Sequence, residues 1–566
     1  MNKNNNTKMI GILIAVLLVV FVAIFMGVYL TQNRGQNTTQ LDRQSAADEI
    51  SKMIDRKIVV HEADPVRSTV DLLNQTSLAD ELPTLKNEDL SIQGKADIVI
   101  EVFASPEKAG EGTNSWMVDV AKAFNKEKFE VNGKTVAVSI RNVTSGLGLD
   151  YIISGVRVPE IYSPSSEFWG EMARANGVGL EQVSDGLAGN VAGIVISNDK
   201  YDYMVENYGT VSVQTIMQAV TDGNLLFGYT TPNTSSTGLN YVMFALWGAD
   251  SKNPLSDAAI NAFTAFQANI PFVAQTTMQM QKAADTGSLD AFVYESQVWE
   301  NSPTLHSKYK FIPFGVRHDN PAYIPDNLST DEREVVKMFI EYCQRDEYVK
   351  LAKKYGFNSM NNYVPEKDSF DGSTLLSAQS AWKENKDNGK TIVAVFVADV
   401  SGSMKGEPFN ALQTALLNSM QYIGKQHIIG LVSYSTDVTI LLRPGEFDLE
   451  QQSKFKGAVE NMSTGGTTGT CNGLLVGIDL VLKELEGMEN AEGMVFLLSD
   501  GDSDHGYGLN DIKGVISTVG IPVYTIGYNE SVSLLEKISD INEAACINAT
   551  SDDVVYKLKN LFNSNL

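Results

Sequence analysis

The residues best suited to chemistry in this sequence are an aspartate and two serines in its C-terminal third. Asp399, Ser401 and Ser403 form a D-x-S-x-S pattern directly after the apolar run 391–398, which predicts a buried β-strand. Carboxylate and hydroxyl oxygens are hard ligands, the kind that magnesium and manganese prefer. Taken alone, the pattern is also explained by a loop whose aspartate and serines cap the following helix.

Two further loops strengthen the metal interpretation. A glycine-rich stretch brings Thr467 and Thr468 to the start of a predicted helix, and Asp500 ends another apolar strand. Strands without polar alternation indicate a mostly parallel sheet, and open α/β sheets bind ligands at the carboxyl ends of their strands. We therefore expect oxygens from three loops to meet at one edge of the sheet and to hold one Mg²⁺ or Mn²⁺.

These motifs, in this order over residues 390–566, resemble a von Willebrand factor A domain. The resemblance implies a metal-ion-dependent adhesion site with an open coordination position that attracts an Asp or Glu of a protein partner. The threonine ligand stays open, because GGT spacing favours Thr467 whereas the distance to Asn472 favours Thr468. We expect Asp399→Ala to abolish metal binding and leave the fold intact, since such a site is exposed. The implied ligands are Asp399, Ser401, Ser403, Thr467 or Thr468, and Asp500.

A calcium loop is the alternative for part of this region. Asp500, Asp502 and Asp504, with Asp511 at the twelfth position, resemble the carboxylate spacing of such a loop. However, His505 occupies the sixth position, where glycine is needed, and a predicted strand precedes the motif in place of a helix. The adhesion-site interpretation is therefore preferred.

The middle region, residues 97–362, alternates strand-like and helix-like segments joined by loops rich in Ser, Thr and Asn, among them Tyr162-SPSSEFW, Asn233-TSSTGLN and Phe292-VYESQVWEN. It resembles the bacterial extracellular solute-binding proteins of the type 2 periplasmic-binding fold, nearest the molybdate-like branch. The resemblance implies two lobes that close over a small polar or anionic solute, for which helix N-termini are suited. Each serine or threonine could instead serve only as a helix N-cap. The implied pocket residues are Ser105, Asn114, Ser163, Ser235, Ser236, Thr237 and Tyr294.

Residues 9–30 are apolar and carry no charge. At about 1.5 Å per residue, a helix of this length crosses a hydrocarbon core of about 30 Å. Lys3 and Lys8 precede the stretch and no A-x-A cleavage site follows it, which favours an uncleaved transmembrane signal anchor. We expect residues 1–8 to be cytoplasmic and the remaining domains to lie outside the cell membrane. The positive-inside rule supports this orientation only mildly, because arginines follow the stretch as well.

The whole chain of 566 residues is too long for one core. We predict an α/β protein with one transmembrane helix, a two-lobed periplasmic-binding-like domain and a doubly wound, mostly parallel C-terminal sheet. The predicted boundaries are a stalk or linker at 31–96, the solute-binding-like domain at 97–362, a linker at 363–389 and the A domain at 390–566.

Composition excludes several functions. A net charge of −25 argues against a nucleic-acid binder, which would display a basic face. None of the five histidines lies in H-E-x-x-H, and the glycine-rich stretch at Gly465 lacks the lysine of a phosphate-binding loop. We therefore predict a non-enzymatic, cell-surface binding protein. The alternatives are a solute receptor for an ABC-type uptake system and an A-domain assembly factor inside the cell.

Overall fold

The computed structural model describes residues 42–70, 77–86, 89–274, 280, 289–387, 389–501, 503–528, 532–542, 544–549 and 553–566. The predicted anchor, residues 9–30, lies outside these ranges. Within them, no helix combines the length and the apolar character that crossing a membrane requires.

The first part of the described chain contributes short elements to two different sheets. They are α1 (Arg43–Lys57), β1 (Val60–Glu62), α2 (Leu78–Glu81) and β2 (Leu90–Ile92). Strand β2 pairs with the middle region, whereas β1 pairs with the C-terminal region.

The first lobe of the middle region is built on a sheet of alternating β and α segments. Its elements are β3 (Ile98–Ala104), α3 (Pro106–Ala109), α4 (Trp116–Glu127), β4 (Glu130–Val131), β5 (Lys134–Asn142), α5 (Ser145–Ser154), β6 (Ile161–Ser163), α6 (Phe168–Ala175) and β7 (Leu180–Ser184). The chain then enters the second lobe and later returns.

The second lobe has its own sheet. Its elements are β8 (Val191–Ser197), α7 (Asn198–Tyr208), α8 (Val213–Thr221), β9 (Phe227–Thr230), α9 (Ser236–Ala249), α10 (Asp257–Gln267), β10 (Phe272–Ala274), β11 (Ala291–Glu295), α11 (Ser296–Glu300) and β12 (Tyr309–Arg317). Among the described residues the strand order is β10-β9-β11-β8-β12.

The chain returns to the first lobe and then leaves the middle region along one more helix. These elements are β13 (Ala322–Pro325), α12 (Thr330–Cys343), α13 (Asp346–Lys354) and α14 (Gly372–Asn385). The described first-lobe sheet has the order β2-β5-β3-β6-β13-β7, with β4 beside β5. Residues 330–354 form two helices, because α12 ends at the C-cap Gln344 and α13 starts from the N-cap Arg345.

The C-terminal unit completes the described chain. Its elements are β14 (Thr391–Asp399), α15 (Glu407–Ser419), β15 (Ile428–Tyr434), β16 (Val438–Glu446), α16 (Leu449–Glu460), α17 (Thr470–Leu485), β17 (Ala491–Ser499), α18 (Leu509–Val519), β18 (Val523–Gly527), α19 (Ser533–Ser539), β19 (Cys546–Asn548) and α20 (Val554–Asn565). The described sheet has the order β1-β16-β15-β14-β17-β18-β19. Among the strand pairs described for this sheet, only β15–β16 is antiparallel, so the predicted mixed α/β fold with a mostly parallel sheet is confirmed.

Part of the predicted stalk, 31–96, belongs to this C-terminal unit. Helix α1 buries Ala46, Ile50 and Met53 in the core on one face of the sheet, and β1 pairs in parallel with β16. The stalk interpretation failed here because the surface that α1 covers lies far along the chain, so the surrounding polar sequence did not indicate that the helix packs in a core.

The predicted linker, 363–389, is also packed. Leu375, Ala378 and Trp382 of α14 are buried in the core of the middle region. The indole Nε1 of Trp382 donates to the hydroxyl of Tyr229 in the second lobe at 2.7 Å. Helix α14 is therefore part of the folded middle region, and a polar sequence concealed its one buried face.

Candidate functional site

Parallel pairing in the C-terminal sheet brings the predicted metal-site loops to one edge. Asp399 is the last residue of β14 and lies beside Tyr434, the last residue of β15. Ser499 ends the neighbouring strand β17, and Asp500 follows it directly. The carboxyl ends of β14 and β17 thus present both predicted aspartates at the same edge of the sheet.

The carboxylate of Asp399 is buried and fixed by three donors. Its Oδ1 accepts from the backbone N–H of Ser401 at 2.8 Å. Its Oδ2 accepts from the hydroxyl of Ser499 at 2.7 Å and from that of Tyr434 at 3.2 Å. Asp399 is 0 % exposed, which differs from our expectation of an exposed carboxylate, because it ends a central strand of a covered sheet.

The two serines of the D-x-S-x-S loop converge. Their hydroxyl oxygens are 3.0 Å apart, with Ser401 buried and Ser403 exposed. The backbone ties this loop to the glycine-rich one, since the N–H of Gly402 donates to the carbonyl of Gly466 at 3.1 Å. Gly466 has φ +83°, a conformation that favours glycine. The two loops therefore form one connected surface.

The candidate threonines occupy different environments. Thr467 is exposed, and its hydroxyl lies 2.9 Å from that of Thr436. Thr468 is buried, and its backbone N–H donates to Oδ1 of Asp504 at 2.7 Å. Both stand beside the serine loop, so the ambiguity between them stays as the sequence left it.

The electrostatics of this edge suit a cation. Burial raises the pKa of Asp399, hydrogen bonds from Ser401 and Ser499 oppose the rise, and the charge of Asp500 adds to it. Across the described ranges, no cluster of three or more His, Cys, Asp or Glu residues could hold a metal. A site here would combine two carboxylates with neutral hydroxyls, and this set of hard oxygen donors fits Mg²⁺ or Mn²⁺.

The carboxylates of the alternative calcium loop have other partners. Asp511 caps α18, its Oδ2 accepting from the N–H of Gly508 at 2.8 Å. Asp504 accepts from Thr468, as described above, and Asp502 lies outside the described residues. Two of the proposed calcium ligands are thus engaged in holding loop backbone.

Two of the predicted solute residues, Ser236 and Asn114, lie where the two lobes touch, and both bond to protein. Ser236, from the second lobe, accepts from the indole of Trp169 in the first lobe at 2.7 Å. It also pairs with the hydroxyl of Ser165. Asn114 of the first lobe accepts from Gln297 of the second at 3.1 Å. The lobes are therefore in direct contact.

The other solute candidates are similarly engaged. The hydroxyl of Ser235 lies 2.8 Å from that of Thr230, and Thr237 donates to Glu295 at 2.9 Å. Ser105 pairs with Lys108, and Tyr294 is buried at the end of β11. By contrast, the hydroxyl oxygens of Ser163 and Ser166 are buried with no hydrogen-bond partner in the described structure.

Sequence reasoning missed a buried lysine in the middle region. Lys108 is 0 % exposed, and its Nζ donates to Oδ1 of Asn320 at 2.8 Å. Burial lowers the pKa of Lys108, while the charges of Glu107 and Glu295 raise it. The residue follows the noted Ser105 by one helical turn, which was the only available hint, because a lysine in sequence normally indicates an exposed position.

A second missed feature is the buried acid Glu295. Its carboxylate accepts from Nδ1 of His318 at 3.0 Å and also from Thr237 and Asn190. Burial alone would raise the pKa of Glu295, but the hydrogen bonds from His318, Thr237 and Asn190 lower it. Nε2 of His318 faces the side-chain NH₂ of Asn240 at 2.9 Å, which places the imidazole proton on Nδ1.

The geometry defines two linked α/β domains, each with polar loops where strands end. Residues 394–564 match the family model of the von Willebrand factor type A domain, and residues 109–358 match that of the bacterial extracellular solute-binding protein. The chain thus carries a solute-binding-protein-like domain and a von Willebrand factor A (VWA) domain. Both matched families are binding or adhesion domains, which supports a binding or adhesion role.

Individual relatives cover parts of the chain. Inter-alpha-trypsin inhibitor heavy chain H3 of Mus musculus is 28% identical over 150 residues, which span 25% of this chain and 16% of that protein. Iron-bound HitA from Pseudomonas aeruginosa shows 14% identity and a TM-score of 0.38, covering 52% of this chain and 99% of that one. A von Willebrand factor type A structure from Catenulispora acidiphila shows 16% identity and a TM-score of 0.28, covering 31% and 42%.

Proposed function

We propose that this chain is a membrane-anchored, cell-surface binding protein whose VWA domain captures a carboxylate of a protein partner through Mg²⁺ or Mn²⁺. The observation that carries the proposal is the convergence of the Ser401 and Ser403 hydroxyls, 3.0 Å apart, beside the buried Asp399. The glycine-rich loop is tied to the same surface through Gly402 and Gly466.

The residues that would hold the ion have distinct tasks. Neutral hydroxyls bind a divalent cation without cancelling its charge, so an ion held by them keeps its attraction for an acidic group. When bound, the cation supplies that Lewis-acid attraction for an incoming Asp or Glu. The buried donors around Asp399 hold the first loop in one conformation before any ion arrives. The proposed ligands are Asp399, Ser401, Ser403, Thr467 or Thr468, and Asp500.

The metal-dependent part is tested by capture from cell-envelope extract with Mg²⁺ and with EDTA. We expect partners that are retained in Mg²⁺ and released by EDTA, and we expect Ser403→Ala to retain less. Ser377→Ala, which removes an exposed hydroxyl from α14, is the matched control. Equal capture with Mg²⁺ and EDTA would show that the VWA domain does not work through a metal.

The proposed location rests on the apolar stretch 9–30. With that stretch as a signal anchor, both domains lie outside the cell on a single-pass protein. Protease treatment of intact cells should then remove both domains while a cytoplasmic marker survives. Protection of the domains until lysis would favour the alternative of an assembly factor inside the cell.

Solute capture is a second candidate function, favoured by the buried hydroxyls of Ser163 and Ser166 that lack a partner in the described structure. Such groups cost free energy unless a ligand or water satisfies them. A small polar or anionic solute, molybdate-like oxyanions included, would supply acceptors for both. A thermal-shift screen of oxyanions and sugars should give a hit that Ser163→Ala weakens. Failure of every compound to raise Tm would argue against a solute receptor, including one for an ABC-type uptake system.

A further inference from the structure

The N-terminal segment 43–62 is fixed to the VWA domain before the chain enters the middle region. Helix α1 buries Ala46, Ile50 and Met53 against the sheet-covering helices. Its Ser51 hydroxyl donates to Oδ1 of Asp479 on α17 at 2.7 Å. The end of α1 is therefore held in a defined position beside the carboxyl edge of the sheet.

The last turn of α1 contacts the loop that follows Asp500. Nζ of Lys57 donates to the carbonyl of Gly506 at 2.9 Å and lies 4.5 Å from the ring centroid of Tyr507. In return, the hydroxyl of Tyr507 donates to the carbonyl of Met53 at 3.1 Å. Two reciprocal hydrogen bonds and a cation–π contact thus join α1 to residues 506–507.

That loop in turn fixes one candidate metal ligand. Oδ1 of Asp504 accepts from the N–H of Thr468 at 2.7 Å, and the carbonyl of Thr468 accepts from the N–H groups of Asp504 and His505 at 3.0 and 3.1 Å. Gly506 has φ +86°, and a Cβ there would lie 2.2 Å from the amide nitrogen of Asn472. The close packing at Gly506 and its positive φ therefore restrict the conformation of this loop when α1 is packed against it.

The same segment reaches the other side of the site. The carbonyl of Val59 accepts from the N–H of Val438 at 3.0 Å, which anchors the start of β16. The turn just before β16 contains Thr436, whose Oγ1 accepts from the N–H of Thr467 at 3.0 Å. The segment thus supports the neighbours of both candidate threonines.

We propose that residues 43–62 are part of the metal-binding face, with Lys57 and Tyr507 as positioning residues that set its affinity for a divalent cation. This inference rests on the proposed metal site. Groups that orient metal ligands without touching the ion commonly change metal affinity by about 10- to 100-fold. Because Lys57 acts one contact further away, through Gly506, we expect the lower end of that range.

The test measures Mg²⁺ binding to the full chain in detergent by calorimetry. We expect Lys57→Gln to weaken Mg²⁺ affinity by about tenfold, and Lys57→Arg to restore most of it, because arginine keeps the charge and can reach the same carbonyl. Lys52→Gln, an equal charge change at an exposed position on α1, should leave the affinity within about twofold of the parent. Affinity unchanged in Lys57→Gln, or equally reduced in Lys52→Gln, would overturn the inference.

Hydrogen exchange in EDTA separates this inference from the proposed function. The amides of Asp504 and His505 should exchange faster in Lys57→Gln than in the parent, whereas amides of the β14 core should not change. Unaltered exchange at both amides would overturn the positioning role even if Mg²⁺ binds. Conversely, a parent protein that binds no Mg²⁺ while the exchange difference persists would refute the metal site, and with it any effect on affinity, although Lys57 would still order residues 504–505.

Discussion

Ser499, the last residue of β17, donates its hydroxyl to Oδ2 of Asp399, the last residue of β14, across a distance of 2.7 Å. Tyr434 adds a second hydroxyl at 3.2 Å from the other neighbouring strand. The Asp399 carboxylate, a ligand in the proposed metal site, is therefore also a structural group that joins three strand ends.

For this reason we expect Asp399→Ala to lose stability as well as metal. It leaves the Ser401 N–H and the Ser499 and Tyr434 hydroxyls without their acceptor, at a net cost of about 1–2 kcal/mol after relief of the Asp500 repulsion. Ser403→Ala, at an exposed hydroxyl, should stay within about 0.5 kcal/mol of the parent. Urea unfolding in EDTA measures both, and an Asp399→Ala protein as stable as the parent would contradict the structural role.

His427 should make the VWA domain sensitive to acid. It is buried, and its Nδ1 accepts from the N–H of Ile392 at 3.2 Å, while burial lowers its pKa below the usual 6.5. In the unfolded chain this imidazole takes up a proton below about pH 6.5, whereas in the folded chain it stays neutral at that pH. The free energy of unfolding is therefore unaffected above about pH 6.5 and decreases at lower pH, by at most about 1.4 kcal/mol per pH unit.

The corresponding measurement compares the parent with His427→Gln by urea unfolding at about pH 7 and pH 5. The parent should lose more stability than the variant over this interval. His505→Gln, at an exposed position, serves as the control and should behave like the parent. If the parent and His427→Gln lose the same free energy of unfolding between these two pH values, proton uptake by His427 does not contribute to acid sensitivity.

Phe370 should stabilise the contact between the two lobes. Its ring centroid lies 6.0 Å from that of Phe168 in the first lobe and 5.7 Å from that of Phe244 in the second. Phe370→Ala should lower the free energy of unfolding by about 3–4 kcal/mol. Val364→Ala, at a residue 81% exposed, should lower it by less than about 0.5 kcal/mol. Denaturant unfolding of the middle region measures the difference, and equal stabilities would show that the lobes do not depend on this contact.

Glu295 should stabilise the cleft as a carboxylate. Oε1 of Glu295 accepts from His318 and Thr237, and Oε2 accepts from Asn190. Glu295→Gln turns an NH₂ group toward one of these two sets of donors, and should lower the free energy of unfolding by about 2–3 kcal/mol at neutral pH. Because the pKa of Glu295 is lowered, its contribution is complete above the unfolded value of 4.5 and is lost as the pH falls below it.

The difference in the free energy of unfolding between the parent and Glu295→Gln should therefore become smaller as the pH falls below 4.5. Glu206→Gln, at an exposed carboxylate on α7, is the matched control for loss of one negative charge. A difference that stays constant from neutral pH down to about pH 4 would contradict the assignment of a buried carboxylate.

The sequence predicted the parts of the site that one strand end can specify. An apolar strand followed by D-x-S-x-S places Asp399 and Ser403 correctly at the sheet edge, because parallel strands share their direction. The partners Ser499 and Tyr434 were not predicted, since each comes from a different strand and depends on register. Lys108 was missed for the opposite reason: its polarity indicates an exposed residue, whereas the fold buries it beside Ser105 and Asn320.

The pairing of β1 with β16 has a consequence for the order in which this protein is made. The ribosome releases α1 and β1 first, then the entire solute-binding-like domain, and only afterwards the strand on which β1 lies. During that interval the core that buries Ala46, Ile50 and Met53 does not yet exist, whereas the intervening domain can already fold as a unit. The VWA sheet is thus begun first and completed last, and its completion requires a chain closure across a whole folded domain.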